Sequence, residues 1–144
     1  MNQEENNTYE DIEFINSIDK IINIIFGVLC GFRLVAVICS LPLNYLGMDC
    51  SEIVRGNLIE LIPMAVYYGL LKSGHKGILI LPLLGSVRGF AMAMEAVSYA
   101  YGEVILTVLA AYFLLMVIVQ FISFMYLLIH PKITFYCMYK KTLS

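Results

Sequence analysis

The chain has 144 residues, of which 60% are hydrophobic and only 14% are charged, and its mean hydropathy is +0.83. A water-soluble domain of this length exposes far more charge, so the composition excludes an ordinary soluble globule. The net charge of −2, without any basic patch larger than a few lysines, argues against a nucleic-acid partner. The acidic start MNQEENNTYEDIEF lacks the basic region of a secretory signal, so we expect the first apolar segment to remain as a spanning helix.

An acidic segment, residues 1–19, precedes the first long apolar block. Within and just after it, isoleucines recur at the spacing of one helical face, at positions Ile12, Ile15, Ile18 and Ile22. This spacing predicts a short amphipathic helix that lies at the membrane surface and continues into the first span. A disordered cytoplasmic tail up to Asn16 is the alternative.

Four apolar blocks follow and predict an all-α integral membrane protein, a four-transmembrane-helix bundle in one domain, residues 20–130. The spans are expected at about 21–43, 58–71, 77–101 and 104–129. They must be helices, because lipid offers no hydrogen-bond partner to an exposed backbone amide. A loop over 44–57, a basic turn over 72–76 and a tight turn at Gly102 and Glu103 connect the spans, and a basic tail, residues 131–144, ends the chain.

The distribution of basic residues predicts the orientation of the bundle. With four spans, one side of the membrane carries six lysines: Lys20, Lys72, Lys76, Lys132, Lys140 and Lys141. The other side carries Arg55 alone, so both termini are expected in the cytoplasm (N-in, C-in) of a plasma membrane, which we expect to be a bacterial inner membrane. The basic turn and the ending Ile-His-Pro-Lys-Ile-Thr-Phe resemble those of small bacterial four-helix membrane proteins, and this resemblance implies no activity.

Polar residues inside the predicted spans form the most informative pattern. Counted from the cytoplasmic end of each span, four of them lie 10 to 13 residues inward: Arg33, Glu60, Arg88 and Gln120. At about 1.5 Å per residue they are expected in one layer, roughly 15–20 Å from the inner surface. A lone charge at that depth costs at least about 2.5–3.5 kcal/mol, so opposite charges are expected to meet.

These depths predict specific pairs. We expect Glu60 to bridge Arg33 and Arg88, with Gln120 as a neutral hydrogen-bond partner. Glu95 lies seven residues, or two helical turns, beyond Arg88 on the same face. It is expected to form a second ion pair with Arg88, or to bond with a tyrosine; the candidate tyrosines are Tyr67 and Tyr99.

Two functional hypotheses remain open. If the polar layer only fixes helix register, the chain is a binding or assembly subunit of a membrane complex, in contact with a second copy or another membrane protein. Its docking faces would be small-residue stripes such as Gly27/Gly31, or the acidic N-terminal segment. If the layer lines a pocket, the chain is a transporter or channel-like protein for a small anion or proton.

Enzymatic activity is not expected, because no nucleophile with an adjacent base and no familiar catalytic motif is present. No cofactor or metal is expected either, since the four cysteines form no C-x-x-C pair or Cys/His cluster. Cys39 and Cys50 could form a disulfide if the 44–57 loop faces an oxidising space; a reduced, buried state is the alternative.

Overall fold

A computed structural model of the chain describes residues 3–45, 47, 49–99 and 103–143. Throughout these ranges the protein is helical and has no β-strand, so the predicted all-α class is confirmed. The described residues form five α-helices, and a short 3₁₀ helix, Lys76–Leu79, precedes the third of them. The α-helices are α1 (Gln3–Tyr45), α2 (Ser51–Lys72), α3 (Ile80–Tyr99), α4 (Val104–Ile129) and α5 (Pro131–Leu143).

Three helical stretches of the described chain are long and apolar enough to cross a bilayer: Ile12–Leu43, Lys76–Glu95 and Val104–Ile129. The chain is therefore a helical membrane protein. The helix α2 is not among the three, because its first half carries the polar residues Arg55, Asn57 and Glu60. It also begins at Ser51, inside the predicted loop: Ser51 donates its backbone N–H to Asp49 Oδ1 at 3.0 Å, which satisfies one amide near the helix start.

The chain divides into two compact units, residues 1–76 with 130–144, and residues 77–129. In the first unit α1 packs against α2 along a continuous buried stripe. The stripe advances by three or four residues, the helical repeat of one face, and consists of Ile15, Ile18, Ile22, Phe26, Leu29, Arg33, Ala36 and Ser40. In the second half of this stripe, the polar residues Arg33 and Ser40 occupy positions of the repeat that are apolar in the first half.

The tail predicted from the sequence is an ordered helix, α5, which packs against both α1 and α2. Its buried side chains, Ile133, Tyr136 and Cys137, all face this contact. Directly after the end of α2 the chain makes a tight turn in which Gly74 has a φ of +89°. A glycine is favoured at that position because L-residues with a side chain rarely adopt positive φ.

The second unit is a hairpin of α3 and α4. Gly89 allows close approach of the two helices, since a Cβ atom at that position would lie 3.4 Å from Val117 Cγ2. Ala93 and Phe124 are completely buried. The end of the predicted third span, residues 100–101, and Gly102 of the predicted turn lie outside the described residues.

Candidate functional site

The polar centre of the first unit is Arg33, a buried residue of α1 with 7% of its surface exposed. Its Nη1 donates to Asn57 Oδ1 of α2 at 3.4 Å, and its Nη2 lies 3.9 Å from Glu60 Oε2. The structure thus brings together Arg33 and Glu60, which the depth count had placed in one layer. We call Arg33, Asn57 and Glu60 the arginine site.

The helical repeat explains how these three side chains meet. Arg33 occupies a position of the buried α1 stripe, so its side chain is directed toward α2. Asn57 and Glu60 are three residues apart on α2 and therefore lie on neighbouring turns of one face. The Asn57 amide nitrogen donates to the Ile53 carbonyl oxygen at 2.8 Å, which leaves Asn57 Oδ1 as the acceptor for Arg33.

The two charged members of the arginine site differ in exposure. The Arg33 side chain is 9% exposed, whereas the Glu60 side chain is 52% exposed. Asn57 is buried with the cation. One side of the Glu60 carboxylate therefore faces Arg33. The other side lies at the surface of the unit, where it can accept a further hydrogen bond or a proton.

In the second unit Gln120 and Ser86, both buried, form a short hydrogen-bond chain. Gln120 Nε2 donates to Ser86 Oγ at 3.1 Å, and Ser86 Oγ donates to the Pro82 carbonyl oxygen at 2.8 Å. Arg88 and Glu95 are exposed, and within the described part of this unit no salt bridge joins them. The bridge from Glu60 to Arg88, which would join the two units, stays a prediction.

A second polar cluster, which the sequence pattern does not predict, lies where α1, α2 and α5 meet. Tyr136 of α5 donates its hydroxyl hydrogen to Asp19 Oδ1, and Lys72 Nζ lies 3.1 Å from Asp19 Oδ2. Lys140 Nζ stands 5.6 Å from the centre of the Tyr136 ring. We call Asp19, Lys72 and Tyr136 the clasp, because their contacts join α1, α2 and α5.

Burial and the hydrogen bond to Asp19 both raise the pKa of Tyr136, burial more strongly, so its hydroxyl stays protonated and remains a donor. Burial also raises the pKa of the neighbouring Cys137 thiol, which keeps that sulfur neutral against the end of α2. The clasp is therefore a structural contact between a neutral donor and a carboxylate that already pairs with a lysine.

Tyr136→Phe is expected to lower the free energy of unfolding by about 1 kcal/mol, because it removes one hydrogen bond to a charged acceptor. The raised pKa of Tyr136 means that this stabilisation is complete below a pH of about 10 and is lost as pH rises through the folded-state pKa. Denaturant unfolding of the purified protein in detergent measures both effects. Tyr139→Phe is the control, and an equal loss in both variants would contradict the assignment.

A groove of about 300 Å³ lies between α1 and α2, beside the arginine site along the helices. Its walls are largely apolar, and one end is marked by the Tyr68 hydroxyl, which donates to Asn23 Oδ1 at 2.7 Å. Beyond the chain neighbours of Gly27 and the backbone of its own helix, no described atom lies within 4 Å of the position that its Cβ atom would take. The full lining is Asn23, Phe26, Gly27, Cys30, Leu61, Met64, Ala65 and Tyr68.

Two further expectations concern cysteines and metals. Cys39 is exposed and Cys50 is buried, and no disulfide joins them. Within the described ranges, no group of three or more His, Cys, Asp or Glu side chains is arranged to hold a metal ion.

Asn57 could have been found from the sequence, because it lies one turn before Glu60 on the same helical face. The hydropathy pattern places Asn57 in the predicted 44–57 loop, because hydropathy marks where the lipid-facing segment begins and not where the helix begins. The clasp is harder to predict from the sequence, because its three residues are far apart along the chain. Only the folded position of α5 brings Tyr136 to Asp19.

The fold and its site define a class, an α-helical membrane protein with an ion pair between two adjacent helices. No protein-family description matches the chain, and neither a curated protein nor a solved structure is found to be similar to it.

Proposed function

We propose that this chain is a multi-pass subunit of a membrane complex, and that its α1/α2 hairpin binds a helix of a second copy or of another membrane protein. The observation that carries the proposal is the half-exposed Glu60 carboxylate beside the buried Arg33. A carboxylate facing lipid at this depth is costly, and a protein neighbour that donates a hydrogen bond removes much of that cost.

The groove between α1 and α2 supports the same proposal. Its glycine and alanine, Gly27 and Ala65, allow a neighbouring backbone to approach closely, as small residues do at contacts between membrane helices. The helix α2 exposes large apolar side chains on the same hairpin, with Ile62 68% and Val66 51% exposed. Its polar first half makes it a poor lipid-facing helix alone, so protein contacts are its favourable surroundings.

We further propose that α2 also crosses the membrane, which gives four crossings in total. Both termini would then lie on the cytoplasmic side of a plasma membrane, which we propose is a bacterial inner membrane. The support is the concentration of lysines at the ends expected inside, with Arg55 alone at the opposite end. The 22 residues of α2 correspond to about 33 Å of helix, enough to cross the ~30 Å hydrocarbon core.

The alternative is a transporter or channel-like protein in which the arginine site handles a small anion or proton. The exposed side of the Glu60 carboxylate favours this alternative if it faces water rather than protein. The two hypotheses differ in what lies next to Glu60, and one set of variants distinguishes them.

Ala65→Leu is expected to weaken the complex about tenfold or more, because a leucine side chain fills the groove that the neighbouring helix would occupy. Ala111→Leu, the same substitution at an exposed residue of α4 outside the groove lining, is the control and should leave the complex intact. Light scattering and mass spectrometry after purification in mild detergent give the stoichiometry. A wild-type protein that is monomeric and alone contradicts the proposal, and labelling of Glu60→Cys by a membrane-impermeant thiol reagent would favour the transport alternative.

A further inference from the structure

We propose that α5 rests on an anionic lipid surface, with Phe135 and Met138 entering the lipid and Lys132 and Lys141 contacting lipid phosphates. This interaction is separate from the helix contact proposed above, since it involves another helix and another chemistry. It follows from the side-chain arrangement on α5, from the level at which the clasp holds that helix, and from its charge.

The helix α5 has two apolar faces that point in opposite directions. One face is buried against α1 and α2 through Ile133, Tyr136 and Cys137. The other exposes Phe135 and Met138, at 52% and 65% of their surfaces. At 100° per residue, Met138 lies about 140° around the helix from Ile133 and faces away from the buried contact, and Phe135 keeps half of its surface exposed.

Lysines stand at both ends of this exposed apolar pair. The four residues Lys132, Phe135, Met138 and Lys141 follow one another at intervals of three and form a slanted row on the helix. All four are exposed. We call them the lipid row: a lysine, two large apolar side chains and a second lysine, which is the pattern of a helix that lies in the membrane interface.

The clasp places Tyr136 of α5 close to the level of the lipid headgroups. Asp19 lies 24 residues before Leu43, the far end of the apolar stretch of α1, which corresponds to about 36 Å of helix. The hydrocarbon core is only about 30 Å thick and the headgroups extend the bilayer to about 40–45 Å. Asp19 therefore lies just beyond the core, and Tyr136, its hydrogen-bond partner, brings α5 to the same depth.

The charge of α5 favours anionic lipid over other occupants. The segment from 130 to 144 contains three lysines and no acidic residue. Lysine side chains can extend their amines to phosphate groups while their methylene stems remain in the apolar layer. Phe135 also contacts the Phe14 ring edge-on at 5.6 Å between centroids, which holds the aromatic side chain of the lipid row in place.

The chain contains no tryptophan, so Met138→Trp introduces a single fluorophore into the lipid row. The full-length variant is reconstituted into vesicles of phosphatidylcholine, or of equal parts phosphatidylcholine and phosphatidylglycerol. We expect blue-shifted emission, quenching by brominated lipid and protection from acrylamide in the anionic vesicles. Adding Lys132→Gln and Lys141→Gln should reduce lipid quenching about twofold, whereas Lys140→Gln, whose amine lies over the Tyr136 ring, should not change it.

Three results would overturn the proposal. Acrylamide access without lipid quenching would place Met138 in water. A blue shift without lipid quenching would place a protein surface over the lipid row. Lipid quenching that is equal in both vesicle types and insensitive to Lys132 and Lys141 would exclude recognition of anionic headgroups.

Discussion

Gly74→Ala is expected to lower the free energy of unfolding by about 2 kcal/mol or more. Gly74 has a φ of +89°, and a Cβ atom there would lie 2.6 Å from the carbonyl oxygen of Cys137. That oxygen belongs to the backbone of α5, so it cannot move aside without moving the helix. The methyl group would therefore separate α5 from the turn after α2.

Gly77→Ala, three residues further on, is the matched control, because a Cβ atom there would meet no described atom within 4 Å beyond its chain neighbours and its own helix backbone. Denaturant unfolding in detergent compares the two variants with the wild-type protein. An equal effect of the two substitutions would show that the contact between Gly74 and Cys137 does not determine stability.

Arg33→Met is expected to lower the free energy of unfolding by about 2 kcal/mol, because it leaves the Glu60 carboxylate without its counter-ion and the buried Asn57 Oδ1 without its donor. The double variant Arg33→Met/Glu60→Gln should recover part of that loss, since a neutral amide replaces the lone charge. The expected coupling is about 1 kcal/mol, below that of a fully buried pair, because the ions are 3.9 Å apart and Glu60 is half exposed.

The matched control is the other arginine–glutamate pair of the first unit, Arg55 with Glu52. Their side chains are 68% and 77% exposed although Arg55 Nη2 lies 2.9 Å from Glu52 Oε2. Screening by solvent predicts no measurable coupling there. A double-mutant cycle on each pair, by unfolding in detergent, tests the difference, and equal coupling in both pairs would remove any special role from the arginine site.

The sequence predicted those features that depend on hydropathy and on helical periodicity. Long apolar blocks led to the all-α membrane class, and a simple count of residues predicted that Arg33 and Glu60 pair, and the two side chains do lie together. Both properties are local and repeat every few residues, so they can be read without knowing how the helices pack. Gln120 was assigned to the same layer, and its observed bond to Ser86 was not foreseen.

The helix α5 was described only as a basic tail, for a physical reason. Its apolar residues are divided between two opposite faces and interrupted by lysines, so no window reads as strongly apolar. Tyr136 and Cys137 become core residues only through α1 and α2. Packing between distant segments also explains Gly74: its neighbour Cys137 lies 63 residues away, and a glycine in a turn gives no sign of such a contact.

The first unit is assembled from both ends of the chain, with the α3/α4 hairpin inserted between them. During synthesis α1 and α2 leave the ribosome before α3, α4 and α5 have been made. Asp19 and Lys72 therefore gain their partner Tyr136 only after the α3/α4 hairpin has been synthesised. A chain truncated before Pro131 would leave the surface that α5 covers open to proteases.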